Sequence, residues 1–158
     1  MNLSRNFVVP FIVSLGLCVS VSNGQEKEKK VKRSDLPRAV EKTVAAQSAG
    51  ATIRGLSKEE EGRKTFYEAE MTLNGHSKDV RIAEDGAIAE VEEQVAFESL
   101  SPAVKAGIQC KANSGKIQKV ESIIKHDKIV AYEVKVDHNG KKSEVQVGPD
   151  GKPLDHEE

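Results

Sequence analysis

The sequence predicts an α+β protein built of two tandem repeats, each one helix packed on three to four antiparallel strands. Three observations lead there. First, the 158-residue chain matches itself. Leu36, Ala39, Val40, Val44, Ile53 and Leu56 return 64 positions later as Leu100, Ala103, Val104, Ile108, Ile117 and Val120. After a slip of one residue, Tyr67-Glu68 returns as Tyr132-Glu133, Asn74-Gly75 as Asn139-Gly140 and Asp85-Gly86 as Asp150-Gly151. Identical dipeptides at matched places in matched apolar patterns point to a duplicated module. Second, within each half the apolar period changes from about 3.6 to 2. Third, Asn-Gly and Asp-Gly pairs punctuate the alternating segments, as tight hairpin turns do.

In the first half, Ser34-Asp35 can cap a helix whose first turn holds Pro37. Leu36, Val40 and Val44 form its apolar stripe, and Gly50 ends it. A short strand is expected at Thr52 to Leu56. The acidic run Glu59-Glu60-Glu61 before Gly62 reads as a charged loop. Tyr67, Ala69, Met71 and Leu73 then alternate with Phe66, Glu68, Glu70 and Thr72, a strand with one buried face. Asn74-Gly75 turns into a strand with Val80 and Ile82 inward, and Asp85-Gly86 turns into another at Ala87 to Glu92.

The second half repeats the plan. Ser101 caps, Pro102 opens the helix, Leu100, Val104 and Ile108 share a stripe, and Asn113-Ser114-Gly115 stops it. Ile117 to Ile124 is the first strand. Val130, Tyr132, Val134 and Val136 are the buried face of the second, and Val145 and Val147 line the third. Pro149-Asp150-Gly151 turns toward Leu154. At about 60 residues each half would be only marginally stable alone, so the two are expected to share an interface or a continuous sheet. The organisation expected is thus a signal peptide at 1–24, a charged flexible tether at 25–33, repeats at 34–97 and 98–154, and an acidic, frayed tail at 155–158.

The leader reading rests on Arg5, the apolar run from Phe7 to Val21, and small residues Ser22 and Gly24 before Gln25. A retained anchor is the rival, but the run is short for a membrane span. A lipoprotein signal at Cys18 fits poorly, since Leu17 stands where a small residue is needed. Cleavage after Gly24 leaves 134 residues with 23 basic and 25 acidic side chains, interspersed, implying neither a nucleic-acid protein nor an acid-seeking one. Periplasmic or secreted localisation follows. Cys110 alone remains, too few for an internal disulfide, and its helical setting suggests a buried small side chain.

The segments LPRAVEK and LSPAVKAGI, followed by YEAEMTLNGHSKDVRIAEDGAI and YEVKVDHNGKKSEVQVGPDGKPL, resemble the PepSY and PepSY-like family. The resemblance covers 34–154, and its tandem plan is similar to that of beta-lactamase-inhibitory-protein-like proteins. The disulfides of that plan have no counterpart here, so lactamase inhibition is not carried over. The resemblance implies an exported, non-catalytic module that binds or restrains a peptidase, or assists folding of attached domains.

No chemistry competes strongly with that reading. His76, His126, His138 and His156 show no ligand spacing for zinc. The Asp-Gly turns lack the spaced ligands of a calcium loop, and no nucleophile elbow or base partner for Cys110 is present. No catalytic residue, metal ligand or cofactor is therefore assigned. The expected partner is a protein or peptide of the cell envelope. It would be bound across the outward sheet face, through Glu68, Glu70, Thr72, Glu133 and Lys135, with Ala131 between. The rivals are a small-ligand or metal-binding sensor or carrier, and an unrecognised hydrolase.

Overall fold

The computed structural model describes residues 28–156 and residue 158. The leader at 1–24, Cys18 and the start of the tether lie outside the described residues. The elements are β1 (Lys29–Lys30), α1 (Arg38–Gln47), β2 (Thr52–Glu61), β3 (Lys64–Leu73), β4 (His76–Ala83), β5 (Ile88–Gln94), α2 (Pro102–Ala112), β6 (Lys116–Lys125), β7 (Lys128–His138) and β8 (Lys141–Val147). All eight strands form one antiparallel sheet whose spatial order is the order of the sequence.

This corrects the expected fold class. The described chain is mostly β, a single eight-stranded sheet with only two short helices, and not two tandem helix-plus-strand repeats. The reason is the pairing of β5 with β6, in which Val91, Glu92, Glu93 and Gln94 meet Ile124, Ile123, Ser122 and Glu121. That ladder consumes the edges at which two separate units would have ended. Apolar periodicity within each half cannot reveal it, because it depends on which edges meet.

Both helices cover the same face. Val40 and Val44 of α1 pack on Tyr67, Ala69, Met71, Val80 and Ile82. Val104, Ile108 and Ala112 of α2 pack on Val120, Val134, Val136 and Val147. Val91 joins the first cluster and Val95 the second. Four residues apart along an extended segment, their side chains leave on the same side, so the two clusters lie side by side under one continuous sheet.

Local details follow the sequence unevenly. Ser101 accepts a hydrogen bond from the Val104 N–H at 3.3 Å, capping α2 as its sequence suggests. The cap expected from Ser34-Asp35 does not form. Those residues lie in a 3-10 turn, and Pro37 precedes α1 with no side-chain cap. Asn74-Gly75 and Asn139-Gly140 are tight turns with positive φ at all four residues. Glu59, Glu60 and Glu61, expected in a loop, extend β2 and pair with Phe66, Thr65 and Lys64. Within the expected flexible tether, Lys29 and Lys30 pair with β2 and Val31 packs on the first core.

The Asp-Gly turns do more than reverse the chain. Gly86 (φ +88°) and Gly151 (φ +79°) press against the first turns of α1 and α2. A Cβ on Gly86 would stand 2.8 Å from the Ala39 carbonyl oxygen, and one on Gly151 would run into that of Ala103. Thr43 adds a hydrogen bond, its hydroxyl donating to the Gly86 carbonyl at 2.7 Å. Each turn therefore seats a helix on the sheet.

Candidate functional site

The face of the sheet opposite the helices is polar, and strand register lays its side chains out in rows. Ser57, Glu68, Arg81 and Glu90 stand side by side across β2 to β5. Gly55, Glu70, Asp79, Glu92, Ile123 and Ala131 form the next row, from β2 to β7. Gln94, Glu121, Glu133 and Gln146 form a third, from β5 to β8. Carboxylates outnumber cations here, and alternation explains why: the helix-facing positions take Val, Ile, Ala and Met, which leaves the charged residues on the other side.

Arg54, Arg81, Lys119, Lys125 and Lys135 on this face are engaged. Arg54 holds Asp79 at 3.0 Å and Glu70 at 3.9 Å. Arg81 reaches Glu61 at 2.7 Å and Glu59 at 3.4 Å, with its guanidinium 4.0 Å over the Phe66 ring. Lys119 binds Glu121 at 2.6 Å, and Lys135 lies 3.2 Å from Glu144 and 3.9 Å from Glu121. Glu121 is only 1% exposed, and its Oε1 also accepts from the Ser77 hydroxyl at 2.8 Å. Lys125 bridges Glu90 and Glu158, each at 3.2 Å.

Glu68, Glu92 and Glu133 form no ion pair among the described residues. Burial, then the neighbouring charges of Glu59, Asp79, Glu70 and Glu28, push the Glu68 carboxyl up to about 7. Burial, then Glu133, Glu121, Glu90 and Asp79, push Glu92 up to about 8. Burial also raises Glu133, against a hydrogen bond donated by the Gln146 amide at 3.2 Å. Asp79 is raised by burial against the pull of Arg54. Asp79, Glu92 and Glu121 offer one oxygen each within 4.8 Å of one another. Lys119 already neutralises part of that group, and none of the four histidines belongs to it.

The chain's last residues bound this surface. The Glu158 N–H donates to the Gln146 side-chain oxygen at 2.9 Å, and its carboxylate meets Lys125. Within the tail expected to be frayed, Glu158 is held by both contacts. His156 and Glu158 face Glu68, Glu92, Asp79 and Arg81 across a groove of about 650 Å³. Cys110, expected to be buried, is exposed on α2.

The five residues singled out from sequence are distributed over these rows. Glu68 and Glu70 lie near Asp79, with Glu70 held by Arg54. Thr72 pairs with Ser77 toward one end of the strands, and Glu133 and Lys135 lie on the β7 side. Between them sit Asp79, Glu92 and Glu121, which the sequence reading passed over. Their parity was readable, since each flanks an inward apolar residue: Val80, Val91 or Val120. The approach of Glu121 to the Asp79–Glu92 pair was not, because it needs the β5–β6 register.

No family model matches the chain, and no curated protein matches it. PepSY membership is therefore not shown. Solved structures do match. A proposed periplasmic protein from Bacteroides eggerthii is 16% identical, with a TM-score of 0.60 over 75% of this chain and 86% of that one. A DUF2874 family protein from Bacteroides ovatus is 18% identical, with a TM-score of 0.57 over 75% and 84%. A BLIP-like protein from Bacteroides fragilis is 20% identical, with a TM-score of 0.54 over 75% and 83%. Among the described residues, no helix is long and apolar enough to cross a membrane. At these identities the likeness extends to the fold, and the fold is BLIP-like.

Proposed function

We propose that this chain is an exported, non-catalytic binding module that recognises a protein or peptide of the cell envelope across its open sheet face. The observation that carries the reading is the asymmetry of the sheet. One face is closed by two helices and apolar cores, while the other presents ordered rows of half-buried charged side chains. An ordered, partly desolvated polar surface on a rigid sheet is a pre-organised recognition surface. The BLIP-like fold supports a binding role, and the proposed periplasmic neighbour supports the location. A peptidase as the partner rests on the PepSY-like resemblance alone.

Position-specific crosslinking tests the reading. One bait carries a photo-crosslinker on the exposed native Cys110, on the helix side. The other carries it at Glu70→Cys in a Cys110→Ser background, on the open face. The reading expects an envelope protein crosslinked from position 70 and not from 110. Crosslinking from 110 alone would move the binding surface to the helices, and none from either would remove the binding role.

A further inference from the structure

We infer that the groove on the open face takes a lysine- or arginine-rich segment of the partner protein, in extended form, with cationic side chains set against Glu68 and Glu92. This rests on the binding reading above and names the chemistry of what is bound. The argument is charge complementarity with a geometry attached. Every arginine and lysine that borders the groove is already committed to a carboxylate of this chain: Arg81 to Glu61 and Glu59, and Lys125 to Glu90 and Glu158. Glu68 and Glu92 line the same groove, and their carboxylates have neither an ion pair nor a hydrogen bond among the described residues. Two partly desolvated carboxylates without a counter-charge are costly in the free protein, and a cation supplied from outside relieves that cost.

The spacing favours a chain of charges over a single ion. Glu68 lies in the row of Glu90, and Glu92 lies two residues further along β5. The two are thus two strands apart and two residues apart along the strands. On sheet geometry their backbones are separated by about 12 Å. No single metal ion bridges that distance, since its ligands must sit within about 2.6 Å of it. An extended peptide advances about 13 Å in four residues and returns its side chains to the same face. Cationic residues four apart therefore match the two carboxylates. The groove, at about 650 Å³, has room for several side chains.

The test uses the full mature chain and three labelled probes: a nine-residue Ser/Gly peptide with lysines at its first, fifth and ninth places, the same peptide with glutamates there, and spermidine. Calcium chloride is titrated separately. At about pH 9, where Glu68 and Glu92 are ionised and lysine is still charged, the lysine peptide is expected to bind, to weaken as salt rises, and to lose about tenfold in affinity in Glu68→Gln/Glu92→Gln. The exposed, helix-side Glu98→Gln is expected to leave it unchanged. No binding of the lysine peptide at low salt, equal binding of the glutamate peptide, or an unaltered affinity in the double variant would each overturn the inference. So would calcium or spermidine binding with the same loss while the peptide fails. Failure here is separable from failure of the binding role. A partner crosslinked at position 70 whose attached segment, read by mass spectrometry, lacks basic residues sinks the cationic segment and leaves the open face as the binding surface.

Discussion

Glu92→Gln should make the protein more stable, by an amount that grows as pH rises from about 4.5 to about 8. The Glu92 carboxyl ionises near about 8, against an ordinary 4.5, because burial and four neighbouring carboxylates oppose its charge. Between those values the folded chain holds a proton that the unfolded chain has lost, so stability falls as pH rises from about 4.5 to about 8 and levels off beyond. Taken in full, the gap is worth ~5 kcal/mol. The side chain is not sealed from water, and screening reduces this to about 1–2 kcal/mol. Glutamine keeps the shape and removes the charge. At about pH 8.5 urea unfolding should therefore show the variant more stable by about 1–2 kcal/mol, with melting raised by about 3–8 °C. At about pH 5.5 only about a third of the pH interval has been crossed, so the two proteins should agree within about 0.5 kcal/mol. Glu68, raised to about 7, leaves the variant with a shallower version of the same slope. A variant less stable at the alkaline pH, or a wild type whose stability rises from pH 5.5 to 8.5, would refute the account of Glu92 as an uncompensated charge.

Other substitutions test the packing. Met71, wholly buried in the first core, should cost about 2–5 kcal/mol when changed to alanine, measured by urea unfolding. Ser101→Ala should cost about 1 kcal/mol through the lost cap, whereas Ser34→Ala, with no cap to lose, should stay within about 0.5 kcal/mol. Gly151→Ala should cost more than about 2 kcal/mol, from the positive φ and the clash with Ala103. Gly62→Ala, also at positive φ but with open space around it, should lose clearly less in the same assay.

Much of the strand pattern was legible because it depends on local chemistry. Tyr67, Ala69 and Met71 are buried, as alternation requires, and the two Asn-Gly turns adopt the conformation that pair favours. What failed depended on context. Glu59 to Glu61 look like a solvated loop because three glutamates are poor strand formers. They are held in β2 by Lys64, Thr65 and Phe66 across the hairpin, and Arg81 reaches Glu59 and Glu61 from β4. Cys110 was assigned to the buried side because the helix around it is apolar, yet Ile108 and Ala112 face the core and Cys110 faces out. The candidate site was half visible. Glu68 and Glu133 follow from parity alone, but Glu121 joins the Asp79–Glu92 pair only when β5 meets β6.

Strand order equal to sequence order also shapes how the protein assembles. Five of the seven ladders join strands linked by a tight turn, whereas β1–β2 and β5–β6 pairing must first close loops of equal length, Lys30 to Ser57 around α1 and Gln94 to Glu121 around α2. Loop closure grows costlier with length, and distant contacts slow folding. We expect hairpins on either side to form early and the central ladder to close late and open first. Its four paired residues on each strand are then the natural hinge at which the sheet loosens. Amide exchange at Val91–Gln94 slower than in the flanking hairpins would count against that order.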